Sequence, residues 1–405
     1  MKKWTAVLAS VLAATVFAGC GAGGDKAAQE KVFTYGTMAY GVAMENAGTN
    51  PHVSYNGWST LRYGIGETLF RFNDNMEPEP WLAESFEQVD DYTVKIKLRD
   101  DVVFSNGKKM TGEAVKACLE DLIAKHDRAP KNLKLTSITA EGQTVTLVSS
   151  EKMPALINEL ADPYGCIIDM EAGETDRIVV GTGPYVAQKV TDTEIDLVKN
   201  EHYWGAVKPK LDKIIVKNIA DGDTLTMAMQ SGELDAAQGL PYAGLELFQK
   251  DSARYKISQA DTSRVYQAAF NFKTPELQDV RVRRALSMAL DKEKFCKVLL
   301  KGNGTPAIGP FPANFPFGGN AVQAAPYDLQ GAKALLKEAG YEDTDGDGYV
   351  DKNGKNLELR YLTYTSRQEL PLLAETLQAS LKEIGVKLAV NATDNYKSFL
   401  KSGEY

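Results

Sequence analysis

Oxygen-bearing side chains alternate along Asp343-Thr344-Asp345-Gly346-Asp347-Gly348-Tyr349-Val350-Asp351. Asp343, Asp345 and Asp347 hold the first, third and fifth places of a loop, Gly348 the sixth, Tyr349 the seventh and Asp351 the ninth. That spacing copies the start of a calcium loop, in which hard oxygen ligands wrap a divalent cation. The twelfth place is Gly354, where an EF-hand needs a bidentate Glu, and Asp351 compensates only in part. The alternative is an acidic surface turn leading into a strand around Leu357 to Leu362. A structural calcium is the one ion these residues suggest, and no cofactor is required. The three histidines, His52, His126 and His202, are scattered, and no two stand at metal-ligand spacing on a helix. His52 reads as a structural histidine. The chain has neither a Gly-x-Ser-x-Gly elbow nor a phosphate loop. These absences favour a binder over an enzyme, with an exported hydrolase as the competing class.

Cys20 carries a different chemistry. It follows Lys2-Lys3 and an apolar stretch from Trp4 to Phe17, and closes the run Phe17-Ala18-Gly19-Cys20. Two lysines, a short apolar core and small residues before a cut make a signal peptide. Small residues directly before a cysteine resemble a bacterial lipoprotein box, in which the thiol is joined to diacylglycerol. The apolar core is too short to remain as a membrane span, which needs about 20 residues. Gly21 to Glu30 is rich in Gly and small polar residues, a tether. The expectation is an exported protein, lipid-anchored to the outer face of the cell membrane or held in the periplasm. Cys118, Cys166 and Cys296 remain, too few and too widely spaced for a disulfide framework. Cys118 and Cys296 fall on helix faces and are expected to be buried.

A net charge of -8 argues against nucleic acid as a partner. The 405 residues exceed what one core usually supports, so two or more lobes are expected. Tyr92 to Leu98 alternates apolar and polar as a half-buried strand, with Gln143 to Val148 beside it. Between them Thr111 caps a helix bearing Val115, Cys118, Leu119 and Leu122 on one face. Asp223 is read as the cap of a helix that buries Leu225 and Met229 and stops at Gly232, before a strand at Leu234 to Ala237. Asp279 to Leu290 carries one apolar stripe, with Arg281, Arg283 and Arg284 on a solvated or salt-bridged face. Asp291 caps a further helix ending by Gly302. Helices follow at Leu329 to Ala339 and at Arg367 to Ile384, then a strand at Val386 to Val390.

Gly181-Thr182-Gly183-Pro184-Tyr185, Val198-Lys199-Asn200-Glu201-His202-Tyr203-Trp204 and Leu211-Asp212-Lys213-Ile214 together resemble the core signature of the extracellular solute-binding proteins, family 5. Pro80 to Ser85, Leu98 to Gly107, Ser231 to Asp235 and Asp279 to Lys292 follow in the family's order. The resemblance implies an α/β fold: a two-lobed, type II periplasmic-binding-protein-like clamp with a small extra domain inserted in the first lobe. It places the signal peptide at 1–19, the tether at 20–30, the first lobe at 31–58 and 178–265, the insert at 59–177, and an incomplete second lobe at 266–405. It also implies capture of an oligopeptide or related small solute for the permease subunits of an ABC importer, by a monomer. The alternative within the family is a nickel chelate. Residues after Asn50-Pro51 line the family's pocket, which points to Ser54, Tyr55, Trp58 and Ser59. The nickel-type branch clamps a chelator carboxylate with an arginine after a proline, and here that place is Tyr164, after Pro163. Arg128 is the residue that could substitute. The opposing wall is expected beyond Tyr405.

Overall fold

The computed structural model describes residues 30–38, 48–259, 262, 264–312, 322–365, 367 and 369–405. The signal peptide, Cys20 and nearly all of the tether lie outside the described residues. Strand Val32–Thr37 enters the interior of a five-stranded sheet, parallel to Lys213–Asn218 on one side and Ala236–Gln238 on the other. The sheet continues by antiparallel steps through Glu194–Lys199 to Tyr185–Val190. Tyr63, Ile65, Ile195, Leu197 and Val216 form its core.

Residues between Leu69 and Val179 build a core of their own. Its antiparallel sheet runs Ala83–Gln88, Thr93–Leu98, Thr144–Ser149, Leu135–Glu141. Val94, Ile96 and Leu98 point inward while Lys95 and Lys97 stay in water, so the alternation read from sequence sets the face. Helix Gly112–Lys125 buries Val115, Cys118, Leu119 and Leu122, and Thr111 caps it by accepting from the Ala114 amide at 3.2 Å.

A third core joins helices Val280–Met288, Leu329–Glu338 and Glu369–Glu383 to the parallel strands Glu358–Thr363 and Lys387–Ala392. Arg281 pairs with Asp279 at 2.6 Å, and Arg283 donates to the carbonyls of Leu277 and Gln278. Helix Tyr242–Gln249 and this third core meet at a carboxylate. Glu369 accepts the Tyr266 hydroxyl at 3.0 Å and is hydrogen-bonded to Tyr242, at the start of helix Tyr242–Gln249.

Two local expectations are corrected. The helix Gly222–Ser231 is capped by Asp221 rather than Asp223, because the Asp221 carboxylate takes both the amide and the hydroxyl of Thr224. Cys296 is half-buried, unlike Cys118. It lies in a π-helical turn, Phe295–Leu299, whose wider winding departs from the stripe that a 3.6-residue period predicts.

One buried group joins distant parts of the chain. Glu67, 6% exposed, accepts hydrogen bonds from Trp81 Nε1 (3.0 Å), Thr182 Oγ1 (3.0 Å), Tyr203 Oη (3.2 Å) and Trp204 Nε1 (2.8 Å). The Trp81 and Trp204 rings meet edge to face at 5.5 Å. Thr182 can arrive there because its flanking glycines have no side chain. A Cβ on Gly181 or Gly183 would stand 2.2 Å from the carbonyl oxygen of Ile65 or Gly64. The motif residues that mark the family in sequence therefore converge on one carboxylate.

Burial raises the Glu67 carboxyl above its ordinary 4.5, against the four hydrogen bonds that favour the charged form. Glu67→Ala is expected to cost about 2–4 kcal/mol in urea unfolding, since it strands several buried donors, and Glu67→Gln less. Folded Glu67 keeps its proton over a window above 4.5 in which the unfolded chain has lost it. The stability of the wild type relative to the Gln variant should therefore decline as pH rises through that window. A wild-type-minus-variant difference that is flat with pH would contradict the assignment.

Candidate functional site

The loop before helix Asn56–Arg62 is held by a histidine. His126 Nδ1 accepts from the amides of Arg128 (3.2 Å) and Ala129 (3.1 Å), so its Nε2 carries the proton and donates to the Ser54 carbonyl at 2.9 Å. Ser54 is thereby kept at φ +52°, a left-handed conformation that a serine rarely adopts. The neutral imidazole thus positions two side chains together: Tyr55, which follows Ser54, and Arg128, whose amide it accepts.

Gly57 brings the third. A Cβ there would sit 2.4 Å from the Pro163 carbonyl oxygen, so only glycine lets this helix abut the turn Pro163–Gly165. Tyr164 comes against His126 with ring centroids 4.9 Å apart. The Arg128 guanidinium lies over both rings, 5.1 Å from the centre of Tyr55 and 5.4 Å from that of Tyr164. These distances are those of cation–π contacts.

The six residues singled out in sequence divide into two sets. Tyr55 and Trp58 are 38% and 46% exposed, and with Arg128 over the first ring and Arg62 5.8 Å from the centre of the second they form an accessible aromatic and cationic wall. Ser54 acts through its carbonyl. Ser59 and Tyr164 are each 2% exposed and sit behind that wall. The Tyr164 hydroxyl is committed to Glu159 at 2.6 Å, and burial together with that carboxylate pushes its ionisation far up, so it remains a donor. Tyr164 supports the wall through its ring.

Part of the opposing surface stands before Tyr405. Helix Tyr396–Ser402 places Lys397 Nζ 5.8 Å from the centre of the Tyr55 ring. Tyr396 stacks on Tyr364 at 5.0 Å, and burial, then the phenols of Tyr55 and Tyr364, raise its ionisation. Sequence reasoning missed Lys397 and His126. Neither sits in a motif, and their importance comes from what the fold sets beside them.

The histidines offer no open metal site on this wall. His52 is 1% exposed, with Nδ1 2.7 Å from Asp121 and Nε2 3.6 Å from the Cys118 sulfur. A Cys–His–Asp line has the order of a nucleophilic site. Here burial pushes the Cys118 thiol up to about 12 and lowers His52, so the sulfur stays protonated, and it is 1% exposed. This line is structural.

In the acidic turn, carboxylate oxygens of Asp343, Asp345 and Asp347 lie within 4.8 Å of one another. Gly346 and Gly348 take positive φ, and their amides donate to Asp343. Asp351 is not part of that group: it is 4% exposed and its carboxylate takes the amide and hydroxyl of Thr344. Tyr349 approaches through its backbone, its amide donating to Asp347 at 2.8 Å.

Residues 77–405 match the sequence profile of the bacterial extracellular solute-binding proteins, family 5 Middle. The nickel-binding protein NikA of Staphylococcus aureus is 29% identical over 343 residues, covering 84% of this chain and 67% of that protein. The glutathione-binding protein GsiB of Salmonella typhimurium is 29% identical over 356 residues, with the same coverage. The crystal structure of the Staphylococcus aureus NikA with Ni(L-His)2 superposes with a TM-score of 0.74 at 26% identity, covering 92% of this chain and 76% of that one.

Proposed function

The chain belongs to the bacterial extracellular solute-binding proteins of family 5, and from that premise we propose that it is a lipid-anchored receptor that captures a short peptide or related small solute and passes it to an ABC permease. The observation that carries the reading is the wall of Tyr55, Trp58 and Arg128, approached at Tyr55 by Lys397 of helix Tyr396–Ser402. A solute between them touches both sides. Only a solute with different affinity for open and closed forms can shift the balance between them. Exposed rings suit a ligand whose backbone is hydrogen-bonded and whose side chains lie in wet pockets. Binding rather than turnover is the activity expected, because the nucleophile-like line found among the described residues is buried and protonated.

A nickel chelate is the second reading, favoured by the likeness to NikA. With His52 and His126 both engaged, the metal would have to arrive already wrapped by its chelator. Calorimetry and thermal melts on the mature full-length protein test both readings. The true solute at about a hundred times its Kd should add roughly 2.7 kcal/mol of stability. Tyr55→Ala should weaken it about five- to a hundredfold. Binding that Tyr55→Ala leaves unchanged would put the site elsewhere, and hydrolysis of the solute would favour an enzyme.

The acidic turn is the proposed seat of a structural calcium, supported by three carboxylates close enough to share one cation. Calcium should raise the melting temperature, and Asp345→Ala with Asp347→Ala should abolish the rise. An unchanged melting temperature in the wild type would leave a plain turn.

The lipid anchor rests on the Phe17 to Cys20 run. Fatty-acid labelling in growing cells should mark the wild type and not Cys20→Ala. Label retained by that variant would rule out this anchor.

A further inference from the structure

His126 is buried and closes helix Gly112–Lys125, so its ring stands between several segments. Nδ1 faces two amides at the start of helix Ala129–Leu133, Nε2–H faces the Ser54 carbonyl, and the Tyr164 ring lies against it. One protonation state serves both ends: the neutral ring with its proton on Nε2. A second proton would sit on Nδ1 and point at two N–H groups, setting a third donor against them. His52 differs in this respect. Its Nδ1 lies 2.7 Å from Asp121, a carboxylate able to receive an added charge. The other charged groups around His126 come from each element packed near it. Asp162 caps the turn Pro163–Gly165, 3.6 Å from Arg128, and burial raises its carboxyl above the ordinary 3.8. Glu159 holds the Tyr164 hydroxyl from helix Leu156–Glu159. Lys125, Asp127 and Arg128 adjoin His126 in the chain, and His52 with its Asp121 lies within electrostatic reach. Asp162 favours charge on the ring and Arg128 opposes it, but the partners of Nδ1 are amides.

Exchanging an acceptor for a donor at one ring nitrogen acts on two parts of the wall. The Arg128 and Ala129 amides lose their partner, and the ring has to move off them. Ser54 stands at φ +52°, so its strained backbone is free to relax once the ring that holds its carbonyl shifts. Tyr55 follows Ser54, and Arg128 carries one of the two amides, so the exposed ring and the guanidinium over it lose their common frame. We propose that His126 is a positioning residue that makes this wall sensitive to pH: its neutral ring fastens Tyr55 and Arg128 for a solute, and a second proton lets them go. This regulation deepens the receptor reading above and rests on it. Linkage fixes the sign. When only the neutral ring supports binding, affinity falls as the pH drops through the titration of the ring, by up to about tenfold per pH unit. Binding in that range releases up to about one proton.

The test uses the mature full-length protein and two probes, a pool of tripeptides and nickel with L-histidine, titrated by calorimetry from about pH 8 to about pH 5, where histidines change charge. Wild type is compared with His126→Asn, whose side-chain oxygen can take the place of Nδ1 without titrating, and with Asp162→Asn. Melting temperatures confirm that each variant folds. A probe's own titration is common to all three proteins and cancels in their affinity ratios. Nitrogen-15 spectra of the histidine rings follow the proton, and Trp58 emission, isolated against Trp58→Phe, follows the wall without a solute. Wild type should lose up to about tenfold in affinity per pH unit as the His126 ring gains its proton. His126→Asn should bind roughly two- to tenfold more weakly at the alkaline end and show no further fall in acid. Asp162→Asn should keep the fall. A ratio of wild type to His126→Asn that is flat with pH, or a fall that only Asp162→Asn abolishes, overturns the switch while the receptor reading stands. So does a His126 ring that stays neutral throughout, or Trp58 emission that stays constant while the ring titrates. Those two measurements need no substitution at position 126. If no probe binds at any pH while Trp58 emission still follows the ring, the receptor reading falls and the conformational switch stands. Neither binding nor a change in emission overturns both.

Discussion

Burying a carboxylate is costly unless hydrogen bonds surround it, and Glu67 meets that condition only by drawing in four distant side chains. Trp81, Thr182, Tyr203 and Trp204 belong to three separate stretches of sequence, and none could satisfy the charge alone. The requirement fixes how the unit between Leu69 and Val179 returns to the five-stranded sheet. It also fixes where the Gly181–Gly183 turn must lie, pressed onto the backbone at Gly64 and Ile65. Position follows for the wall as well, since helix Asn56–Arg62 ends a few residues before Glu67. A polar knot of this kind adds specificity more than raw stability: any other arrangement leaves a buried charge without partners.

The site built on that frame has two layers. Tyr55, Trp58 and Arg128 face outward, while Tyr164, His126, Ser54 and Glu159 hold them from behind. Behind, the His126 and Tyr164 side chains are held by hydrogen bonds, whereas in front Tyr55 and Trp58 are exposed. That contrast separates groups that fix geometry from groups available to a ligand. Tyr164, after Pro163, brings a ring to this place, and its hydroxyl goes to Glu159. Arg128 reaches the same rings from the neighbouring loop, and Tyr164 serves as its platform.

Much of this fold is legible in the residues. The alternation of Thr93–Leu98 and the stripe Val115, Cys118, Leu119, Leu122 state their buried faces directly, because period two and period 3.6 are local properties. The family signature was legible too. What the sequence did not disclose is long-range: that Gly57 permits contact with Pro163, that His126 braces Ser54, and that Lys397 stands over Tyr55. Each depends on which segments become neighbours, and a single residue type carries no sign of it. Cys296 shows the same boundary at smaller scale, where one turn of wider helix displaced a residue from the face its spacing implied.

Strand Val32–Thr37 is the first element among the described residues, yet both its partners come late. The Lys31 amide waits for Asp212, 181 residues on, and the Thr34 amide for Asp235, 201 residues on. A chain emerging at about 5–20 residues per second therefore carries this strand unpaired for roughly ten to forty seconds. During that interval the antiparallel unit between Leu69 and Val179, whose fully buried residues all come from within it, can complete its core. The topology permits one order of events: the unit between Leu69 and Val179 has all its strands before the sheet that frames it can close.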